Sequence, residues 1–401
     1  MRRSPGIQAV IILCGLGVLS SDALAQSTSE SGLSPRQLMI RLTNAAGTGT
    51  GVSNIGEVIA DLIGLEVSTA PLGSSAGGFT FTFDPVTRAF SRAAPSFGPM
   101  FGERAITAGE GRANFGVNYI HTTYDKLDGL DIRNGALRTA TLNVGASPLY
   151  TGTVKLHATT DTTVLFANVA LNSWFDFGMA VPYVRLQVEG QHVIADSLAE
   201  GKASAEGVGD IALRAKIRVI PSRQGGVAIG VDARIPTGDK EALLGAGVTR
   251  TLVSGIWSGT FGRFAPHASA GFEYWSDPFQ VFDPLERSTV DAGRHAGAYT
   301  AGVEWIASDR LTVNGEMMGR SISNGGRLSY RELPFRGNPF GITSASIAAV
   351  QPGGLNEMSA AAGIKWNFAR SALLTASVLT PLNSAGLRDQ FTPIVGLDWG
   401  F

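Results

Sequence analysis

The sequence predicts an all-β fold, a transmembrane antiparallel β-barrel of about twelve strands, preceded by a short helical N-terminal segment. Three observations carry this. From Arg112 onward, segments of roughly ten residues or more alternate apolar with polar side chains, as a wall between lipid and a polar lumen requires. The connections between them alternate long and short. The last segment, Phe391 to Phe401, sets bulky apolar residues at 391, 395, 397, 399 and 401 against Thr392, Gly396, Asp398 and Gly400; Ile394 breaks the pattern once.

The chain opens with an export signal: Met1-Arg-Arg, an apolar stretch from Ile7 to Leu19, and Ala23-Leu-Ala25 before Gln26. A lipoprotein reading through Cys14 places Leu13 where a small residue is expected. Cleavage after Ala25 removes the single cysteine, so the mature chain holds its fold without disulfides. Beyond Gln26 there is no apolar run of the ~18 residues that a spanning helix needs. The organisation read from this is a signal peptide at 1–25, an N-terminal segment at 26–111 and an outer-membrane barrel at 112–401.

Within the N-terminal segment, Ser34-Pro-Arg-Gln37 has the composition of a capping box with proline at the first helical position, followed by Leu38, Met39 and Leu42. Asn54-Ile-Gly-Glu57 reads as a second cap, with Ile55, Val58, Ile59, Leu62 and Ile63 on one helical face. A turn-rich linker over 68–78 leads to a short strand, Phe79 to Phe83. Such a segment either fills the lumen as a plug or docks beneath the barrel at its periplasmic mouth; both readings stay open.

Strands are expected at 113–125, 154–171, 174–189, 208–220, 226–236, 249–260, 264–275, 296–308, 310–322, 356–368, 371–381 and 391–401. In Asp210 to Ile220, Ile211, Leu213, Ala215, Ile217 and Val219 oppose Asp210, Arg214, Lys216 and Arg218. Val227 to Ile235 and Tyr299 to Trp305 repeat the pattern. An even count places both barrel ends on the periplasmic side, with short turns there and longer loops outside. Two segments fit less well. The apolar set Phe175, Phe177, Met179, Val181 gives way to Val184, Leu186, Val188, a phase slip that predicts a β-bulge at Pro182. The threonine-rich 154–171 reads as one strand or two, which leaves fourteen strands as the alternative.

Net charge is −1 with no basic run, which argues against nucleic acid as a partner. No histidine is followed by glutamate, so no His-Glu-x-x-His helix exists. Gly73-Ser-Ser-Ala-Gly77 matches the nucleophile-elbow pattern around Ser75 but lacks the strand before and the helix after that an elbow needs. No catalytic, cofactor or metal residues are assigned, and the protein is read as a non-enzyme.

The chemistry-bearing residues are instead the ionic side chains predicted to face inward: Arg214, Lys216, Arg218, Asp232, Arg234, Glu273, Glu304, Glu316, Arg320, Lys365 and Asp398. They either brace the wall as ion pairs or line a solute path and set its selectivity. His267 is read as a further lumen side chain. Ile235-Pro-Thr-Gly-Asp239 is a turn by composition, placed at the outer mouth.

Ser96-Phe-Gly-Pro99, Glu103-Arg104, Gly207-Val-Gly-Asp-Ile-Ala-Leu-Arg-Ala-Lys216, Arg234-Ile-Pro-Thr-Gly-Asp239 and Thr392-Pro-Ile-Val-Gly-Leu397 resemble the outer-membrane barrels of the meta-pathway phenol-degradation family, over residues 75–401. Those barrels resemble the long-chain fatty-acid transporters, from which this chain departs in strand number. The resemblance implies passage of small hydrophobic or aromatic solutes across an outer membrane. A terminal Phe also resembles the signal read by barrel-assembly machinery. The partners expected are outer-membrane lipid, that machinery and a small hydrophobic solute. The function expected is a passive channel or transporter, with a structural or adhesive barrel, or an outer-membrane hydrolase, as alternatives.

Overall fold

The computed structural model describes residues 26–29, 32–44, 55–75, 78–84, 89–92, 94–141, 150–194, 197–222, 225–278, 280–283, 288–291, 294–323, 325–334, 344–351, 353–369 and 371–401. The export signal and the Asn54 cap lie outside them.

Twelve strands close a barrel in chain order: β1 (Ala113–Tyr124), β2 (Tyr150–Asn172), β3 (Phe175–Ile194), β4 (Ile211–Ser222), β5 (Gly225–Ile235), β6 (Arg250–Gly259), β7 (Phe264–Trp275), β8 (His295–Ser308), β9 (Leu311–Ile322), β10 (Leu355–Ala369), β11 (Ala372–Pro381) and β12 (Thr392–Gly400). Every neighbouring pair is antiparallel, and β12 closes on β1 with Trp399 opposite Phe115. Closure removes the unpaired edges that lipid does not tolerate. The segment 154–171 lies within one continuous strand, β2, so the count is twelve rather than fourteen.

The outward face is apolar over the lower part of the wall. Leu165, Phe177, Ile229, Val253, Val303 and Val395 are all exposed, each between 41% and 58%. Aromatic residues gather at the end bearing the short turns: Phe115 stacks on Trp399 and Phe401 at 5.2 and 5.4 Å, and Trp366 lies 6.0 Å from Phe368. Tyr119, Tyr183, Phe272 and Tyr274 are exposed toward the other end. An apolar band with aromatic residues toward both rims is the signature of a membrane-inserted barrel. The protein is therefore an outer-membrane β-barrel, with its short turns on the periplasmic side. Ile394, the residue that broke the terminal alternation, points inward and is 3% exposed beside Leu72, Ile120 and Val164.

Strand β3 shows no bulge at Pro182, because its register against β2 runs unbroken from Ala170↔Asp176 to Gly152↔Ile194. What changes is the environment. Tyr183, Arg185, Gln187 and Glu189 are exposed, whereas Val184, Leu186 and Val188 are fully buried. Here β2 and β3 rise beyond the membrane, water replaces lipid outside, and the apolar set turns inward without any slip. Pro182 sits where the partner of β3 changes from β4 to an added strand at Ser197–Val208. Its carbonyl accepts from the Gly209 N–H at 2.9 Å. A strand residue's N–H and C=O point the same way, so the missing donor faces this break in the sheet rather than an intact ladder.

The risen strands enclose two helices, α1 (Pro35–Asn44) and α2 (Ile55–Ser68). The capping box forms: the Gln37 N–H donates to Ser34 Oγ and the Ser34 N–H to Gln37 Oε1, both at 3.1 Å. Leu38, Met39 and Leu42 of α1 pack with Val58, Ile59 and Ile63 of α2 against Val184, Leu186 and Val188. Helix α2 is buried on nearly every side rather than along one face, and its Leu65 enters a second cluster with Trp275, Ile322 and Leu355. Two motifs of the sequence resemblance hold the loop that covers this core. Asp210 accepts from the Gly238 N–H at 3.0 Å and the Ala246 N–H at 2.9 Å, seating Leu243 and Leu244 in the same core as α2. A Cβ at Gly64 would stand 2.7 Å from the Gly245 carbonyl oxygen, so only glycine lets helix and loop approach this closely.

Candidate functional site

Below the helices, the described residues between 68 and 112 run inside the barrel. From α2 the chain descends to a short hairpin, Phe81–Asp84 with Ala89–Arg92, whose Phe81 lies under the Arg112 guanidinium at 4.8 Å, beside the start of β1. It rises through 94–102, then descends again to Gly111, whose N–H donates to the Ala170 carbonyl of β2. This inner segment lacks regular pairing over most of its length, and the wall supplies its partners.

Most of the ionic residues read from the sequence meet this segment. Arg234 donates to the Ser68 and Ala70 carbonyls. Arg320 donates to Thr69 Oγ1 at 3.0 Å and pairs with Glu66 and Glu357, each at 2.9 Å. Arg214 bridges the Gly73 carbonyl and Asp232. Lys216 is 3.1 Å from Ser75 Oγ, 3.2 Å from Asp176 and 3.6 Å from Glu103. Glu316 accepts from the successive N–H groups of Met100, Phe101 and Gly102, the last two at 3.0 and 2.8 Å. Lys365 donates to the Pro99 carbonyl at 2.6 Å. Glu304 accepts from both Nε and Nη2, one edge of the Arg104 guanidinium, in a pair only 1% and 3% exposed.

Three residues stand apart. Glu273 is 3.4 Å from Arg250 on the wall itself. Asp398 shares a small internal cavity with Lys365. Arg218 donates to the Ser222 and Gly225 carbonyls and so closes a periplasmic turn. His267 is buried between two carboxylates, 3.7 Å from Glu304 and 3.8 Å from Glu316, and neither ring nitrogen has a hydrogen-bond partner.

The sequence reading passed over several partners. Arg250, 2% exposed, donates to Ser68 Oγ and Thr69 Oγ1 at 2.8 Å each. It occupies an inward position two residues before Leu252, and the alternation with Val253 and Trp257 was the signal that marked it. Asp176 is likewise the inward residue between Phe175 and Phe177. Glu103 and Arg104 carried no periodic signal; their role exists only through contact with the wall.

The Ser75 arrangement is an anchor. Its hydroxyl donates to Glu103 at 2.7 Å and accepts from Lys216 at 3.1 Å, so it ties the inner segment to β4. Among the described residues no three His, Cys, Asp or Glu side chains gather as a metal-ligand set.

Above Phe101 and below α2 the lumen holds a chamber of about 300 Å³. Leu72, Phe101, Ile120, Leu252, Met318 and Leu379 supply its apolar lining. Arg214, Arg234, Arg250, Arg320 and Arg388 supply its cations, facing Glu66, Asp232, Glu273, Glu357 and Asp389.

A family model described as "Putative MetA-pathway of phenol degradation" matches residues 140–277. Over that stretch the chain is similar to this family. The match is narrower than the 75–401 suggested by the motifs and contains two of them, Gly207 to Lys216 and Arg234 to Asp239. A comparison with curated proteins finds no match. Among solved structures, the chain is similar to an outer membrane channel from Pseudomonas putida F1, at 12% identity and a TM-score of 0.43, covering 72% of this chain and 95% of that one. It is also similar to the CymD monoaromatic hydrocarbon channel, at 10% identity and TM-score 0.37, covering 73% and 89%. A Pseudomonas aeruginosa FadL homologue is similar at 10% identity and TM-score 0.31, covering 72% and 90%.

Proposed function

We propose that the protein is a passive outer-membrane channel for small hydrophobic or aromatic solutes, with its N-terminal segment acting as a plug rather than a periplasmic dock. The observation that carries this reading is the chamber: a partly apolar space inside a membrane barrel, bounded above by α2 and below by the inner segment. A barrel serving only as a scaffold has no need for an internal cavity lined by both apolar and ionic side chains. The plug is held largely by side-chain contacts, which local motion can break one at a time, whereas the wall is a continuous ladder. The inward ionic residues then have two roles, seating the plug and lining the path that its displacement opens.

Planar-bilayer recordings with benzyl alcohol as the neutral aromatic probe test this. The full chain is expected to conduct rarely; a form lacking residues 26–75 is expected to conduct steadily, with benzyl alcohol reducing the current. Sealed behaviour in both forms, with no calorimetric binding of an aromatic probe, would overturn the reading.

A further inference from the structure

Within the channel reading, on which this step rests, we infer that the chamber between Phe101 and α2 is a binding site for a small aromatic monocarboxylate, ring against the apolar lining and carboxylate on the arginines.

Volume sets the size of the occupant. At about 300 Å³ the chamber lies at the lower end of the range for small-molecule sites, which suits a single ring with a short substituent better than a long acyl chain. The apolar lining, with Phe101 as its aromatic floor, suits that ring. A neutral hydrocarbon would make no use of the rest of the wall. Burying guanidinium groups is costly, and side chains placed there are expected to be fully paired. Three are not. Among the described residues Arg250 Nε, Arg320 Nε and Arg388 Nη2 are buried without a hydrogen-bond partner, Arg388 Nη2 lying 3.9 Å from Glu357, and all three side chains line one chamber.

An unused guanidinium donor calls for an acceptor, and a carboxylate fits best because its two oxygens match the planar N–H fork. Charge counting favours a single negative charge. Five arginines face five carboxylates around the chamber. The lining is balanced as it stands, so among anions a monoanion disturbs it least, and a dianion would leave a larger excess of negative charge.

Arg388 is the residue to change. It comes from the outer loop between β11 and β12 and donates to the Ala385 carbonyl at 2.8 Å, and it makes no hydrogen bond to the inner segment. Its loss therefore leaves the plug's own anchors in place. Calorimetry on the purified full chain uses three probes: benzoate, its neutral counterpart benzyl alcohol, and acetate, which lacks the ring. Benzoate is expected to bind at least about tenfold more tightly than either of the others. Arg388→Met is expected to weaken benzoate by about tenfold while leaving benzyl alcohol unchanged, and Arg388→Lys to recover part of the loss. Equal affinity for benzoate and benzyl alcohol overturns the carboxylate assignment while leaving an aromatic-solute channel intact. Equal affinity for benzoate and acetate overturns the ring's place in the site. Benzoate affinity unchanged in Arg388→Met, in protein whose heat-modifiable gel migration shows a folded barrel, also overturns it. Only failure to bind any aromatic probe, together with sealed bilayers, removes the channel reading as well.

Discussion

Strand β3 passes through two regions with opposite rules. Below Pro182 its outward residues, Phe177 and Met179, face lipid, and its inward Asp176 meets Lys216. Above Pro182 its outward residues are Arg185, Gln187 and Glu189, and its inward ones are Val184, Leu186 and Val188. The backbone is the same, the register is unbroken, and polarity is exchanged between the faces. The membrane half is a barrel with a polar interior, and the outer half is built like a soluble domain, with helices and strands around an apolar core. In the lower half specificity is carried by buried charges; in the upper half packing carries it. Outside the upper half, Arg185 pairs with Glu206 at 2.9 Å and Lys202 with Glu189, exposed pairs of the kind worth at most about 1 kcal/mol.

The largest expected consequence lies in the lower half, at Arg104. Arg104→Ala strands Glu304 as a buried carboxylate without its cation, leaving the Ser96 hydroxyl and His267 at 3.7 Å as the polar groups beside it. Removing one member of a buried pair costs about 3–5 kcal/mol. The loss falls on the seating of the inner segment, because every wall strand keeps its ladder. Faster proteolysis within 68–112 and a raised bilayer current are expected, with no change in barrel migration on gels. Replacing the pair by Arg104→Met with Glu304→Leu is expected to restore most of the seating. If the double variant is as loose as the single one, the pair's value lies in its geometry rather than in mutual neutralisation.

The two halves were not equally legible in the sequence. All twelve barrel strands were readable, most to within a few residues, because lipid imposes one rule on every outward side chain. That rule stops at the membrane surface. Val184, Leu186 and Val188 looked like a phase slip because the sequence shows which residues are apolar but not which solvent lies opposite them. Helix α2 was readable as a helix, but not as one buried nearly all round, since that depends on Leu243, Leu244 and Trp275 arriving from distant loops and strands. The inward ionic residues were readable from alternation, whereas their partners Ser75, Glu103 and Arg104 were not, because an irregular segment has no period. Two motifs of the family resemblance, Gly-Asp at 209–210 and Pro-Thr-Gly-Asp at 236–239, turn out to be the two sides of one loop anchor.

A second comparison sharpens the boundary between the halves. Met179→Lys, on the lipid face midway between the periplasmic turn and Pro182, is expected to cost about 2–4 kcal/mol. Gln187→Lys, on the same face of the same strand, is expected to stay within about 0.5 kcal/mol. Leu186→Ala, on the opposite face, is expected to cost about 2–5 kcal/mol by opening a cavity in the packed core. Denaturant unfolding in lipid vesicles reads all three. Equal penalties at 179 and 187 would mean that lipid extends past Pro182 and that the exchange of faces has another cause.

The smallest effect tests whether packing or local chemistry holds the upper half. Ser34→Ala removes a side-chain acceptor for the Gln37 N–H and half of the capping box, a loss of about 1 kcal/mol. Leu38, on the next turn, is fully buried against the core, and Leu38→Ala is expected to cost about 2–5 kcal/mol. If the upper half behaves as a soluble core, hydrogen exchange should show Ser34→Ala fraying only the first turn of α1, with Val58 and Ile59 of α2 still protected. Leu38→Ala should release both helices together. Release of α2 by the cap variant alone would show that α1 is held by its end rather than by its face.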